Sequence, residues 1–256
     1  ISGAENTAVG YHAGKGLTTG NYNTAFGSNA LVHNTTSDEN TAIGRSAMHQ
    51  LTTGAKNTSV GYRSGHDMTT GTSNVCIGAE AGTAMTTTTG NIAIGQDALK
   101  VQTTANYNTA VGYRAGIAVT SAIGVVLMGY DAGKGITTGD TNICIGGFSM
   151  DGGAGKTAYG CTHVGHAGQR TGTSGIMNSS FGIDSVKVLT TGTGNTGLGA
   201  GSGSAITSGD SNTCIGRNAG NAITTGTDNI CIGLDSGTGN AGSVARFVIG
   251  KTVDGV

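Results

Sequence analysis

A five-residue block that recurs every 17 residues constrains this chain more than any other feature of its sequence. The block reads NTAVG from Asn6, and related blocks begin every 17 residues as far as Asn142. After one spacing of 19 residues, the period resumes at Cys161. A fixed short period of this kind is typical of a stacked-repeat fold. We predict a single repeat domain over residues 1–256, with coils that start at residues 6, 23, 40, 57, 74, 91, 108, 125, 142, 161, 178, 195, 212, 229 and 246.

The residue types inside the block predict a short β-strand that ends in a turn. We number each coil from the first residue of its block, so Asn6 occupies the first position and Gly10 the fifth. The second position is mostly Thr or a β-branched apolar residue, the third is mostly small, and the fourth is apolar. Such residues between Asn and Gly are typical of a strand. The sequence therefore predicts an all-β fold, a parallel β-solenoid (β-roll) of about 15 coils stacked at about 4.8 Å.

The fourth position is apolar in every coil, and we predict that it forms the core ladder of the solenoid. The predicted core residues are Val9, Phe26, Ile43, Val60, Ile77, Ile94, Val111, Met128, Ile145, Val164, Phe181, Leu198, Ile215, Ile232 and Ile249.

The fifth position is Gly in every coil, which predicts a backbone corner with a positive φ or with no room for a Cβ atom. The predicted corner glycines are Gly10, Gly27, Gly44, Gly61, Gly78, Gly95, Gly112, Gly129, Gly146, Gly165, Gly182, Gly199, Gly216, Gly233 and Gly250.

The third and fourth positions together predict association with further copies of the chain. Successive strand residues point to opposite faces, so two adjacent apolar positions indicate a strand that is buried on both sides. One face can line the inside of a coil. No other segment of the chain is apolar enough to cover the other face. We therefore expect a homo-oligomer or a filament.

Composition narrows the class of function. The chain has 49 Gly and no Pro, 11% of its residues are charged, and its net charge is -1. Without a basic surplus we expect no nucleic-acid partner. No apolar run approaches the about 18 residues of a transmembrane helix, so we expect no membrane span in this segment. The first residue is Ile1 rather than Met, and we expect a segment of a longer fibre.

No motif in the chain points to catalysis. We find no paired carboxylates, no Ser/His/Asp order and no phosphate-binding loop, so we expect no enzyme, no cofactor and no metal site. We expect the carboxylates of the seventh position to lie on a solvent-exposed face. These residues are Asp97, Asp131, Asp184 and Asp235. His49 and His66 share a position on adjacent coils, and a surface location is favoured over a metal pair.

The coil that precedes Cys161 is irregular. The stretch Gly146 to Gly160 is two residues longer than its equivalents, which makes it a candidate contact loop, although a tolerated insertion is favoured. The motif C-x-H-x-x-H follows at Cys161, His163 and His166. A local break in the stack is favoured there over a metal site.

The positions of the cysteines favour a packing role and leave a disulfide as the alternative. Four of the five cysteines occupy the third position, which favours their use as small apolar residues. A disulfide between Cys214 and Cys231, on adjacent coils, is the less favoured alternative.

Paired threonines such as Thr18-Thr19 recur after the twelfth position, and one of each pair is expected to face outward. A regular file of threonines leaves an ice-binding solenoid as the alternative function from another class.

The blocks resemble the head repeats of trimeric autotransporter adhesins and the repeats of bacteriophage tail fibres. The stretches NTAVGYHAG at Asn6 and NTAVGYRAG at Asn108 carry the resemblance most closely. It implies a left-handed β-roll, a homotrimer, and a location in the virion tail or outside the cell. We therefore expect a structural and adhesive fibre, foremost a phage tail fibre that contacts the host surface and its glycans. A bacterial surface adhesin or extracellular filament is the alternative.

Overall fold

The protein is an all-β, parallel β-solenoid of about 14 turns with a 17-residue period. In the computed structural model, residues 3–153, 155–170, 174–237 and 241–250 are described. The chain divides into two compact units, Ile1–Val125 and Val126–Val256. The first unit contains strands β1–β7 and the second contains β8–β15. All are three residues long: Thr7–Val9, Thr24–Phe26, Thr41–Ile43, Thr58–Val60, Val75–Ile77, Ile92–Ile94, Thr109–Val111, Val126–Met128, Ile143–Ile145, Thr162–Val164, Ser179–Phe181, Thr196–Leu198, Thr213–Ile215, Ile230–Ile232 and Phe247–Ile249.

Within each unit, neighbouring strands pair in parallel and in register. Ala25 of β2, for example, lies opposite Ala42 of β3, and Phe26 lies opposite Ile43. The register also holds between β9 and β10, where Ile143 lies opposite Thr162. The two additional residues before Cys161 are therefore accommodated outside the strands. Equal positions of successive coils stack on one another, and each position of the repeat forms a column.

The glycine of the fifth position forms the corner after each strand. Gly27 has a φ of 134°, a backbone conformation that side chains with a Cβ atom rarely adopt. A Cβ atom on Gly27 would also lie 2.6 Å from the carbonyl oxygen of Gly44 in the next coil. All fifteen glycines of this column have a positive φ, as the sequence predicts for a corner.

The interior of each coil is filled by small and large residues from different positions. The third and eighth positions supply small buried residues such as Ala42 and Ala47. The larger volume comes from the twelfth position, for example Met85, or from the ninth, for example Leu31. Where Met85 fills the interior, the ninth position is a glycine, Gly82, because a Cβ atom there would lie 2.9 Å from the Met85 sulfur. The filling residue thus changes position between coils while the thin interior stays occupied.

The location of the fourth position corrects the prediction of a core ladder. Its side chains point outward and none of them is buried in the chain. The small third position faces inward instead, because the ninth and twelfth positions already fill the narrow interior. The residues that are placed on the outer surface rather than in the core are Val9, Phe26, Ile43, Val60, Ile77, Ile94, Val111, Met128, Ile145, Val164, Phe181, Leu198, Ile215, Ile232 and Ile249.

The asparagine of the first position forms a buried ladder of amides along the solenoid. In the first unit, the side-chain oxygen of Asn40 accepts a hydrogen bond from the backbone N–H of Asn57 at 3.0 Å and another from its side-chain amide at 3.1 Å. The same amide of Asn57 donates to the carbonyl oxygen of Gly71 within its own coil at 2.7 Å. Each asparagine therefore ties two coils together and satisfies a buried turn.

Candidate interaction surfaces

The outer face of the strands presents an apolar ladder in each unit. In the first unit Phe26 is 55% exposed, and in the second Leu198 is 48% exposed. In-register pairing places each fourth-position side chain beside the next one, and the second position adds apolar residues such as Ile92. Contiguous exposed apolar surface on a soluble protein marks an interaction site. The described part of the chain leaves both ladders uncovered.

Exposed tyrosines border these apolar ladders. A tyrosine occupies the sixth position, just past the corner glycine, in several coils, and the Arg45 guanidinium lies 5.6 Å from the ring centroid of Tyr62 there. Tyrosine and arginine are both enriched in protein interfaces relative to the rest of the surface. All seven tyrosines of the chain are exposed: Tyr11, Tyr22, Tyr62, Tyr107, Tyr113, Tyr130 and Tyr159.

The paired threonines form two columns with different roles. At the thirteenth position, the hydroxyl of Thr52 donates to the backbone carbonyl of Thr69 at 3.0 Å, and Thr69 donates in the same way to Thr86 at 3.2 Å. These hydroxyls hold neighbouring coils together. The fourteenth position is exposed, but thirteenth-position threonines such as Thr18 and Thr35 are exposed as well, so the prediction of a single outward file is wrong for these coils. In the first unit the fourteenth position holds Thr19, Thr36, Thr53, Thr70, Thr87, Thr104 and Ser121.

Three histidines stack at one corner of the first unit. The rings of His49 and His66 lie parallel, with their centroids 5.0 Å apart, and His33 approaches His49 edge-on at 5.0 Å. His33 was not expected in this group because it occupies the neighbouring position of its coil. Burial, followed by the charges of His66 and His33, lowers the pKa of His49. The prediction that His49 and His66 lie together on adjacent coils is confirmed by this stack.

The irregular coil and the coil that follows it hold buried polar side chains in their interiors. The ammonium group of Lys156 is buried and donates to the backbone carbonyls of Arg170 at 2.8 Å and Gln169 at 3.3 Å. The Gln169 side-chain oxygen lies 2.5 Å from Nε2 of His163, and Nδ1 of His163 contacts the hydroxyl of Ser180. Burial lowers the pKa of Lys156 to about 8 and that of His163 to about 4. Ser180 and His163 lie inside the coil, so a substrate has no access to them.

The structure separates the three side chains of the C-x-H-x-x-H motif. Cys161 and His163 point into the coil, and the Cys161 thiol donates to the carbonyl oxygen of Gly175 at 3.3 Å. His166 is exposed, with its ring centroid 5.5 Å from that of Phe148. Among the described residues there is no group of three or more His, Cys, Asp or Glu that could hold a metal ion. Ala154, in the predicted contact loop, lies outside the described residues.

The carboxylates of the seventh position pair with lysines at the tenth position of the same coil. The prediction of a solvent-exposed face is wrong for Asp131, which is buried, whereas the Asp184 pair is exposed and resembles the i, i+3 surface pairs that contribute little stability. The pairs are Asp97 with Lys100 at 2.9 Å, Asp131 with Lys134 at 3.2 Å and Asp184 with Lys187 at 3.2 Å. Asp235 instead accepts a hydrogen bond from the side chain of Asn218 at 2.9 Å.

Comparison with known proteins finds no relative of this chain. No protein-family model matches the chain, and no curated protein and no solved structure is significantly similar to it. In the described residues, no helix has the length and apolar character needed to cross a membrane. The function is therefore inferred from the exposed surfaces of the solenoid.

Proposed function

We propose that this chain is a segment of a structural and adhesive fibre in which three copies associate through their outer apolar ladders. The favoured setting is a bacteriophage tail fibre that contacts the host surface, including its glycans. The alternative within this class is a bacterial surface adhesin or another extracellular filament. The proposal places the protein in a virion tail or outside the cell.

The exposed fourth position is the observation that carries this proposal. Every coil supplies an apolar residue there, although the interior is already filled without it. Full burial of an Ile or Val side chain contributes about 1.5–3 kcal/mol. For side chains such as Ile77, which is 37% exposed, the remaining gain is below about 1 kcal/mol each. Seven such residues in the first unit and eight in the second, at a spacing of about 4.8 Å, form strips that an identical solenoid can match coil for coil.

The mass of the protein in solution tests the proposal. We expect sedimentation equilibrium to give three times the 25.1 kDa mass of one chain. Ile43→Glu together with Ile77→Glu should give the monomer, because each carboxylate would be desolvated between copies. The matched control is Thr53→Glu with Thr87→Glu, which changes exposed residues of the same two coils on another face and should leave the trimer intact. A stable monomeric wild type at micromolar concentration would refute association through the ladder.

A second candidate function, ice binding, rests on the exposed file at the fourteenth position. Six consecutive coils of the first unit place a Thr there, in register and on a backbone that the thirteenth-position hydroxyls hold in place. Ice-recrystallisation inhibition is the direct test. Thr70→Lys with Thr87→Lys should abolish inhibition if the file binds ice, while Ile77→Lys should not. Absence of inhibition by the wild type would eliminate this candidate.

A further inference from the structure

Two of the buried cysteines lie directly beside each other on adjacent strands. Cys214 of β13 and Cys231 of β14 are register partners, and both point into the interior. Neighbouring parallel strands lie about 4.8 Å apart. This spacing is within the range of about 4.4–6.8 Å between Cα atoms that disulfides span.

Both sulfur atoms of this pair lie over glycines of their own coils. The ninth position is glycine in both coils, and a Cβ atom on Gly220 or Gly237 would clash with the sulfur of Cys214 or Cys231, respectively. Both sulfurs therefore occupy space that a larger ninth-position residue takes in other coils. The Cβ atoms of in-register residues are separated by about the strand spacing of 4.8 Å, slightly more than the about 3.5–4.5 Å of disulfides. A modest rotation of both side chains and approach of the two strands makes up this difference.

The other cysteines lack such a neighbour in the described part of the sheet. Cys76 lies between Ser59 and Ala93, and Cys144 lies opposite His163. Cys161 occupies the first position, where its neighbours are asparagines. In the folded chain, the hydrogen bond between the two thiols lowers the pKa of Cys231 and raises that of Cys214.

We propose that Cys214 and Cys231 form a redox-dependent cross-link site, at which oxidation by a small disulfide such as glutathione disulfide joins two adjacent coils. The Cys231 thiolate attacks one sulfur of glutathione disulfide and releases one glutathione thiolate. The Cys214 thiolate then attacks the Cys231 sulfur of the mixed disulfide and releases the second. Two protein thiols are oxidised and one glutathione disulfide is reduced to two glutathione molecules. Because both thiols are buried, the exchange takes place while the coils form or open.

Refolding of the full chain in glutathione redox buffers tests this site. After alkylation of free thiols, mass spectrometry should find the peptides of Cys214 and Cys231 joined in oxidising buffer, with Cys76, Cys144 and Cys161 alkylated. Circular dichroism on the same samples verifies that the oxidised chain is folded. The cross-linked protein should unfold at a higher denaturant concentration than the reduced one, because the closed loop restricts the unfolded chain.

Cys214→Ala provides the matched variant, since alanine occupies the third position in other coils such as that of Ala25. It should fold, lose the cross-link, and show the same unfolding midpoint in oxidising and reducing buffer. Alkylation of both Cys214 and Cys231 in folded protein from strongly oxidising buffer would refute the proposal. Pairing of either cysteine with Cys161 to an equal extent would also refute it.

Discussion

The side-chain oxygen of Asn74 accepts two hydrogen bonds from Asn91 in the next coil, one from its backbone N–H at 3.0 Å and one from its side-chain amide at 3.2 Å. The Asn91 amide also donates to the carbonyl oxygen of Ala105 at 3.0 Å, and its own oxygen accepts from the N–H of Asn108 at 2.9 Å. All of these groups are buried. A single side chain thus satisfies polar atoms in three successive coils.

Removal of one amide from this ladder should destabilise the first unit strongly. Asn91→Ala leaves the buried Asn108 N–H without a partner, at a cost of about 1–3 kcal/mol. The Ala105 carbonyl loses one of its two bonds and keeps the one from the Gln102 side-chain amide at 2.5 Å. We expect the free energy of unfolding in urea to fall by about 2 kcal/mol. Asn106→Ala is the control, because Asn106 is only half-buried and its oxygen accepts one bond, from the N–H of Thr89 at 2.7 Å. Equal losses for the two variants would contradict the special role of the first position.

The corner glycine should tolerate no side chain, whereas another glycine of the same coil should. Gly182 has a φ of 128°, and a Cβ atom there would lie 2.8 Å from the backbone of Gly199. We expect Gly182→Ala to lower the free energy of unfolding by more than about 3 kcal/mol, because backbone strain and a backbone clash add up. Gly194 has a φ of 69°, which asparagine adopts readily, and nothing lies within 3.7 Å of its Cβ site. Gly194→Asn should change stability by less than about 1 kcal/mol, as measured by the same denaturant titration.

Two apolar residues of one coil should respond in opposite ways to truncation. Met85→Ala creates a cavity in the filled interior and should cost about 2–5 kcal/mol in the free energy of unfolding. Ile77→Ala removes a side chain from the outer ladder and should cost about 1–2 kcal/mol in the dissociated chain, because most of the Ile77 side chain is already covered by its own chain. If the ladder mediates association, only Ile77→Ala should raise the dissociation constant of the oligomer. If Ile77→Ala lowered the free energy of unfolding of the monomer more than Met85→Ala does, the assignment of Met85 to the interior and Ile77 to the outer surface would be wrong.

The buried histidine of the coil that follows the irregular one should make the second unit sensitive to acid. Burial lowers the pKa of His163 from 6.5 to about 4 in the folded state. The unfolded chain therefore binds a proton first as the pH falls, and stability is lost between pH 6.5 and about 4. The loss should reach about 3 kcal/mol. His163→Cys, which places the residue of the preceding coil at this position, should remove this acid-dependent loss when unfolding is followed from pH 7 to pH 4.

The buried lysine should produce a second pH dependence, on the alkaline side. Burial lowers the pKa of Lys156 from 10.5 to about 8, so between these values the unfolded chain binds more protons than the folded one. Stability should therefore rise with pH across this window. Lys156→Met, which keeps the aliphatic length, should show no such rise. An unchanged slope in this variant would assign the effect to another group.

The repeat made the solenoid, its coil boundaries and its glycine corners predictable. A position that holds the same residue type in fifteen coils indicates a particular local backbone conformation, and such local conformations can be predicted from a single sequence. The histidine stack was only partly visible, because His33 reaches His49 from a neighbouring position and not through the repeat. The buried contacts of Lys156, Gln169 and His163 were not visible at all. They depend on how an irregular coil packs against regular ones.

The sequence by itself determined the strand, the period and the turn of each coil, because these follow from the residue types within 17 consecutive positions. It also showed that the third and fourth positions face opposite ways. Which of them faces inward was decided only by the tertiary structure. A narrow coil has a limited interior volume, and Leu31 or Met85, brought in from the ninth or twelfth position, already fills it. The larger apolar residues of the strand, such as Phe26 and Ile77, are therefore left on the outer surface.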